Sequence, residues 1–438
     1  MPSFTRVVPS LLLGSLLRTQ AAPPPPEAFG PLATEVIVRS YTEAEPWALR
    51  AIVLLSLGSD WHPVGVPIVL DALRDKDERL WPYGIELLRG MDDASLRQVA
   101  TKELVAELVE RQLRRKNALF AARTLEVLVR MLPEARLTDG KSAQAWWSGN
   151  AATYVPEPWQ EPKKVEGAQR AATVGTSVVD RAFDLRDAGL DVTIVIDSTG
   201  SMQPTIDTAR DAIDDVVALL VGIAPKLRLG LVHYRDVEDF KEGARLLAPL
   251  SKDLKAVREL LGKLRAEGGG DFPERVEKGL EVALAKETGW NKDANRMLLV
   301  IGDAPAHPED EMAMLDLVRR AHERPFESGK GGSTGKKPNL RPFVTSTIAI
   351  GEGPRQQFER IASVGGGAAV TMTMQRRPAA APAGKARDAK AQPAPTTDAS
   401  TRQIVEHILL LSFGASFRPQ LERFVRTFFE YRDAGLFR

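Results

Sequence analysis

The stretch that most constrains the fold runs from Asp191 to Met202 and reads DVTIVIDSTGSM. Its first part, Val192–Ile196, is rich in β-branched residues, which is typical of a strand buried on both faces. The strand ends at Asp197, hydroxyl residues and a glycine follow, and helical spacing of apolar residues begins after Pro204. Because ligands bind at the carboxyl ends of strands in open parallel sheets, this stretch predicts a binding site.

The oxygen-bearing side chains of this stretch indicate the chemistry of that site. Alternate positions in an extended turn face the same side, so Asp197, Thr199 and Ser201 can converge on one point. Ligands made only of oxygen suit Mg²⁺, Ca²⁺ or Mn²⁺ better than zinc. On these residues alone a second interpretation stays open, in which Asp197 caps the following helix and the hydroxyls satisfy loose backbone donors.

Two later stretches strengthen the metal interpretation. Gly268–Glu274 reads GGGDFPE and opens another helical run. Met297–Asp303 reads MLLVIGD, a second buried strand that ends in an acid. Further along, Phe358–Gly367 reads FERIASVGGG.

With these motifs, residues 191 to about 371 resemble a von Willebrand factor type A domain of the bacterial type. The three loops resemble the metal-ion-dependent adhesion site of that family. The family's D-x-S-x-S pattern falls on Asp197, Thr199 and Ser201, and its third-loop aspartate falls on Asp303. The family's lone second-loop threonine has no clear match, and Asp271 of GGGD is the best candidate for its place.

The resemblance implies a fold, a metal and a function. The fold is a doubly wound α/β (Rossmann-like) domain, here residues 188–372. The function is divalent-metal-dependent protein binding, as an adhesion or scaffold module without catalysis, in which a protein ligand supplies a carboxylate to Mg²⁺ (or Mn²⁺ or Ca²⁺). The implied metal ligands are Asp197, Thr199, Ser201, Asp271 and Asp303.

The alternation of patterns along this region supports such a fold. Near-continuous apolar strands that alternate with helices indicate a mostly parallel sheet with helices on both faces. The predicted strands are residues 192–196, 227–234, 297–301, 344–350 and 368–371. The predicted helices are residues 204–223, 252–266, 273–286, 309–322 and 355–363.

Composition narrows the possible partners. The chain has 59 basic and 58 acidic residues, so its charge gives no reason to expect nucleic acid or a membrane surface as the partner. It has no cysteine, which excludes disulfides, thiol catalysis and cysteine-bound zinc.

The first 22 residues resemble a signal peptide. Arg6 precedes the apolar run Val7–Leu17, and small residues allow cleavage near Ala21 or Ala22. This favours export to the periplasm or the cell exterior. In the alternative, these residues are kept and the protein is cytoplasmic. No other stretch is apolar enough for a transmembrane helix.

Residues 31–135 are predicted to be helical throughout. Three similar segments, Arg50–Leu55, Tyr83–Leu88 and Arg123–Leu128, are spaced by about 33 and 40 residues. This spacing resembles a short array of HEAT-like helical pairs, a stacked binding scaffold. The alternative is an irregular helical bundle.

Three further segments complete the predicted organisation. Residues 136–175 are a connector whose aromatic side chains hold it to a neighbouring domain. Residues 319–341 are a basic, solvated insertion whose glycines do not fit a phosphate-binding loop. Residues 373–400 are a disordered linker rich in Ala and Pro, and residues 401–438 form a closing helical segment that packs back on the chain.

No catalytic constellation is evident in the sequence. The five histidines are scattered without metal-ligand spacing, although His307 lies four residues beyond Asp303. Three alternatives to a metal-dependent binding module remain: a cytoplasmic adaptor subunit of an ATPase machine, a metal-dependent hydrolase, and a metal that only stabilises the fold.

Overall fold

The computed structural model describes residues 31–57, 62–160, 178–236, 241–269, 272–323, 341–373, 399–414 and 417–437. The predicted signal peptide, residues 1–22, lies outside these ranges, as do Asp271 and residues 374–398 of the predicted linker. In the described part of the chain, no helix is both long enough and apolar enough to cross a lipid bilayer.

The N-terminal region is helical, as predicted. Its helices are α1 (Pro31–Glu43), α2 (Trp47–Leu55), α3 (Val66–Arg74), α4 (Trp81–Arg89), α5 (Asp93–Gln98), α6 (Lys102–Glu110), α7 (Ala118–Met131) and α8 (Gly140–Asn150). Their organisation as HEAT-like repeats stays a prediction.

Helix α8 corrects the prediction that residues 136–175 are only a connector. The side chain of Asp139 accepts a hydrogen bond from the Ser142 N–H, and the Ser142 hydroxyl accepts one from the Asp139 N–H, so a capping box starts this helix. The buried Trp147 packs the helix on the N-terminal region and donates its indole N–H to Glu110 at 3.1 Å. Sequence periodicity misses α8 because the helix is short and buries only Ala143 and Trp147, too few apolar positions to show a helical period.

A six-stranded sheet forms the second half of the chain. Its spatial order is β3-β2-β1-β4-β5-β6, and β3 alone is antiparallel to its neighbour. The strands are β1 (Leu190–Asp197), β2 (Leu227–Tyr234), β3 (Ala244–Ser251), β4 (Asn295–Gly302), β5 (Phe343–Ile350) and β6 (Gly366–Met372).

Strand β3 was not predicted from the sequence. It lies at the edge of the sheet, where Arg245 and Pro249 are exposed, so it has neither a continuous apolar run nor clean alternation. The other five strands agree with the predicted ones. Strands β1, β2 and β4 are buried nearly throughout and therefore almost wholly apolar, whereas β6 is the partly exposed second edge.

Helices flank the sheet, which confirms the doubly wound α/β fold. They are α9 (Val178–Ala188), α10 (Gln203–Ile223), α11 (Leu254–Lys263), α12 (Val276–Leu284), α13 (Pro308–Glu323) and α14 (Arg355–Val364). Helix α9 was not predicted. Residues 324–340 of the predicted solvated insertion lie outside the described residues. Its first residues, 319–323, continue α13, and Arg341 pairs with Asp184 at 2.8 Å.

Two C-terminal helices, α15 (Ala399–Phe413) and α16 (Arg418–Asp433), join the two halves. Phe424 of α16 is fully buried and stacks on Tyr83 and Trp47 of the N-terminal helices, at ring separations of 5.3 and 6.1 Å. Helix α10 of the sheet domain approaches the same helices at Gly222, where an added Cβ would lie 2.8 Å from the Ala48 Cβ. One hydrophobic core therefore runs from the N-terminal helices through α15 and α16 to one face of the sheet.

Candidate metal centre

Three loops meet where strands β1, β2 and β4 end at one edge of the sheet. Asp197, the last residue of β1, is in register with Tyr234, the last residue of β2. On the other side of β1, Ile196 is in register with Ile301, so Asp303 follows β4 at the same edge. The parallel order of the strands thus brings Asp197 and Asp303, two of the predicted ligands, to the same edge of the sheet.

Asp197 is completely buried. Its Oδ1 accepts hydrogen bonds from the backbone N–H and the hydroxyl of Thr199, both at 2.8 Å. Its Oδ2 is buried and accepts no hydrogen bond from any residue that the structure describes. Burial raises the pKa of Asp197 to about 7, against the lowering effect of the Thr199 hydrogen bonds, and the charge of Asp303 raises it further.

These bonds bear on the alternative in which Asp197 caps a helix. Neither the short 3₁₀ helix Gly200–Met202 nor α10 after it has a side-chain cap hydrogen bond. Asp197 instead closes a local turn with Thr199. Ser201 lies in the 3₁₀ helix and is exposed, so its hydroxyl is accessible at the surface of the site.

The side chain of Ser198 fixes the loop after β1 to residues at the end of β2. Its hydroxyl accepts a hydrogen bond from Nε of Arg235 at 2.9 Å and lies 2.9 Å from Nδ1 of His233. Burial and the nearby arginines lower the pKa of His233 to about 4, so the imidazole is neutral at neutral pH. Ser198 is therefore a structural contact between β1 and β2.

The second loop runs along the first. The N–H of Gly200 donates to the carbonyl of Gly268 at 3.0 Å, and the N–H of Glu267 donates to the carbonyl of Ser198 at 3.1 Å. At Gly269 an added Cβ would lie 2.9 Å from the Thr199 Cβ, and the backbone φ is +79°, so glycine is required there. The predicted ligand Asp271 follows two residues later, outside the described residues.

The third loop holds Asp303 against the same point. Asp303 is half-buried, and its Oδ1 has no hydrogen-bond partner among the described residues. The preceding Gly302 has no room for a side chain, because a Cβ there would lie 2.4 Å from the Tyr234 hydroxyl. Gln357 of α14 secures the loop by accepting from the Ala306 N–H at 2.5 Å and donating to its carbonyl at 3.2 Å.

Tyr234 is a site residue that the sequence analysis missed. It is fully buried, and no described residue hydrogen-bonds to its hydroxyl. Burial, and next the charges of Asp197 and Asp303, raise its pKa well above the ordinary value, so the phenol keeps its proton. The only sequence signal for it was its position at the end of the strand that neighbours β1.

Residues 191–374 match the sequence model of the von Willebrand factor A domain family. They form a von Willebrand factor A domain.

Other comparisons give more distant relatives of the A domain. A protein named alpha-protein kinase vwkA from Dictyostelium discoideum is 28% identical over 132 residues, which are 29% of this chain and 20% of that protein. The chain therefore matches only a fifth of the length of that relative.

Two solved structures are also similar. The SpRpn10 VWA domain is 15% identical with a TM-score of 0.32, over 43% of this chain and 89% of that one. The conserved hypothetical protein BatB from Bacteroides thetaiotaomicron is 13% identical with a TM-score of 0.34, over 52% of this chain and all of that one.

Charged side chains surround the three loops of the A domain. Arg275 lies 2.8 Å from Asp310 and 3.6 Å from Asp236, and the His307 ring lies 3.9 Å from Asp236. His307, expected near the site from its position after Asp303, is half-buried and lies close to Asp236 and Glu309.

The donor set fits a hard divalent cation. In the described ranges, the predicted ligands are two carboxylates and two hydroxyls, and no group of three or more His, Cys, Asp or Glu side chains is arranged so that it could hold a metal ion. Two carboxylates balance the charge of one divalent cation, and neutral oxygens suit the remaining positions of Mg²⁺. A cation would also satisfy the carboxylate oxygens of Asp197 and Asp303 that are left without donors.

Proposed function

We propose that the A domain binds protein partners through a divalent cation, Mg²⁺ or Mn²⁺, without catalysing a reaction. The proposal rests on two buried carboxylate oxygens, Oδ2 of Asp197 and Oδ1 of Asp303, that accept no hydrogen bond from a described residue. They lie at the meeting point of three loops. Two negatively charged carboxylates held close together away from water destabilise the folded state, and a bound cation offsets that cost. Asp197, Thr199, Ser201 and Asp303 would hold the cation, and Asp271 is a further candidate from the sequence.

When bound, the cation supplies a position that attracts a carboxylate oxygen of a partner. The loops around it suit contact with a protein. Phe272, in the second loop, is 66% exposed, and large apolar side chains at a surface are common in protein interfaces. Ser201 of the first loop is exposed, which supports access of a partner to this side of the proposed site.

Addition of Mg²⁺ or Mn²⁺ should raise the melting temperature by several degrees, because a ligand at about one hundred times its Kd stabilises the folded state by about 2.7 kcal/mol. Differential scanning fluorimetry measures the shift, with NaCl at equal ionic strength as the control. No shift at saturating metal would contradict the proposed metal centre.

The metal-induced shift should also depend on pH. Folding raises the pKa of Asp197 from 3.8 to about 7, so the metal-free protein loses stability as the pH rises between these values. Below about pH 6 a proton occupies the carboxylate and competes with the metal. The shift should therefore be larger at about pH 8 than at about pH 5.5, and an equal shift at both values would mean that Asp197 does not bind the metal.

Ser201→Ala should weaken Mn²⁺ binding by roughly tenfold, whereas Asp303→Ala should weaken it by about a hundredfold or more, because the first change removes a neutral ligand and the second a charged one. Isothermal titration calorimetry measures both affinities. Ser148→Ala is the matched control, since Ser148 is an exposed serine of helix α8, far along the chain from the three loops. Equal effects of the Ser201 and Asp303 variants would argue against a cation between them.

Affinity capture tests the partner-binding part of the proposal. The immobilised chain should retain a partner in Mg²⁺ and release it in EDTA, and Asp197→Asn should retain none under either condition. Retention that neither EDTA nor Asp197→Asn changes would place partner binding elsewhere on the chain.

A further inference from the structure

The hydroxyl group of Tyr234 is a buried polar group to which neither the fold nor the proposed set of metal ligands gives a role. Tyr234 is fully buried, and its hydroxyl has no hydrogen-bond partner among the described residues. A buried hydroxyl without a partner costs folding free energy, so its presence in a native structure calls for a reason.

The sheet places this hydroxyl beside the carboxylate of Asp197. Tyr234 and Asp197 are in register on neighbouring strands, so their side chains point to the same face of the sheet. Gly302 of β4 lies level with Asp197 on the other side, because the residues that precede them are in register. A Cβ at Gly302 would collide with the Tyr234 hydroxyl and would lie 3.4 Å from the Cβ of Asp197. The hydroxyl therefore occupies the space next to Asp197 that the glycine leaves free.

The ring of Tyr234 is held firmly in this position. A Cβ added at Gly279 of α12 would lie 2.9 Å from the Cδ1 atom of the ring and 2.8 Å from a methyl group of Val195 on β1. The ring is thus packed closely between the sheet and helix α12, within the core on that face of the sheet. Close packing fixes the position of the hydroxyl, as a residue that supports a binding site requires.

The hydroxyl is a donor that lies among acceptors. Burial, and then the charges of four carboxylates, raise the pKa of Tyr234 well above its ordinary value, so the phenol keeps its proton and can donate it in a hydrogen bond. Two of these carboxylates, Asp197 and Asp303, each have a buried oxygen that accepts no hydrogen bond from a described residue.

Carboxylates that bind a metal ion are themselves commonly held by hydrogen bonds from a second set of residues, which fix their orientation. We propose that Tyr234 is a positioning residue of the metal centre, whose hydroxyl donates to the carboxylate of Asp197, directly or through one water, when Asp197 holds the cation. This role rests on the metal binding proposed above. It also explains why the hydroxyl is kept although it does not stabilise the metal-free fold.

Tyr234→Phe tests this role, because it removes the hydroxyl and keeps the ring. The variant should bind Mn²⁺ about tenfold or more weakly than the wild-type chain, the usual effect of removing an outer contact to a metal ligand. Without metal, its melting temperature should equal or exceed that of the wild-type chain, because the hydroxyl that it lacks has no described partner. Isothermal titration calorimetry and differential scanning fluorimetry on the full chain measure the two quantities.

Tyr83→Phe is the matched control. Tyr83 is also fully buried, but its hydroxyl donates to the Phe424 carbonyl at 3.2 Å, where α4 packs on α16. Loss of this hydrogen bond should lower the melting temperature and leave the Mn²⁺ affinity unchanged, the opposite of the pattern expected for Tyr234→Phe.

The role of Tyr234 and the metal centre can fail separately. If the wild-type chain binds Mn²⁺ and Tyr234→Phe binds it equally well, the role of Tyr234 is overturned and the metal centre stands. A fall in the metal-free melting temperature as large as that of Tyr83→Phe would show that the hydroxyl serves the fold, and would overturn the role too. No Mn²⁺ binding by the wild-type chain would overturn the metal centre itself, and the role of Tyr234 with it.

Discussion

Replacement of Asp197 by asparagine should abolish stabilisation by Mg²⁺ and, at about pH 8, raise the stability of the metal-free protein by roughly 1–3 kcal/mol. The first effect follows from the loss of a charged ligand. The second follows from burial, because Asp197 is fully buried beside Asp303 and its pKa is raised to about 7. Above that pH the wild-type protein keeps a costly buried charge, which the neutral amide of nearly the same shape removes.

The local geometry also favours this variant. The asparagine carbonyl can accept the two hydrogen bonds from Thr199 that Oδ1 of Asp197 accepts now, each at 2.8 Å. Its NH₂ group would replace Oδ2, the oxygen that accepts no hydrogen bond from a described residue. A site that is unstable without its ligand and more stable when its key residue is neutralised is typical of function maintained at the expense of stability.

Urea unfolding at about pH 8, with and without Mg²⁺, measures both effects. Asp293→Asn is the matched control, since Asp293 is an exposed aspartate and should change neither quantity by more than about 0.5 kcal/mol. A less stable metal-free Asp197→Asn protein would contradict the electrostatic account of the site. A preserved Mg²⁺ response would contradict the ligand assignment itself.

Replacement of Phe424 by alanine should destabilise the whole chain by about 3–5 kcal/mol, because it leaves a large cavity in a closed core. Phe424 is fully buried between Tyr83 and Trp47, although it lies in the last helix of the chain. Since the same core continues through α10 and one face of the sheet, the A domain should lose stability together with the N-terminal helices.

Urea unfolding followed by circular dichroism and by tryptophan fluorescence measures this loss and its extent. Both signals should report one transition that shifts to lower urea in the variant. Phe272→Ala is the matched control, because that side chain is 66% exposed and its loss should change stability by about 0.5 kcal/mol or less. Two separate transitions, of which only one moves, would show that the halves of the chain unfold independently.

The sequence alone determined the features that depend on neighbours along the chain. The buried strands β1 and β4 were predictable because a strand covered on both faces must be apolar along its length. The DSTGS loop after β1 was predictable because its oxygen-bearing residues, Asp197, Thr199 and Ser201, lie at alternate positions within five consecutive residues. The A-domain fold was predicted from the order of these motifs and from the family resemblance that they carry, and that resemblance implied Asp303 as a ligand beside Asp197.

Only the tertiary structure decided the features that depend on residues far apart in sequence. The apolar residues of edge strand β3 are interrupted by Arg245 and Pro249, which an edge tolerates because one of its sides pairs with no strand. Tyr234 enters the site because β2 lies next to β1, and the sequence does not state strand order.

The arginines near Asp184 and the shared core show the same limit. Arg181 and Arg341 are far apart in the sequence, and both donate to Asp184 because helix α9 lies beside the start of β5. Phe424 could be assigned to an apolar stripe but not to its place between Tyr83 and Trp47. Local sequence patterns specify which face of a helix or strand is buried. They do not specify which element packs against that face, because burial is favourable against any apolar surface that fits. The packing of the whole chain decides that.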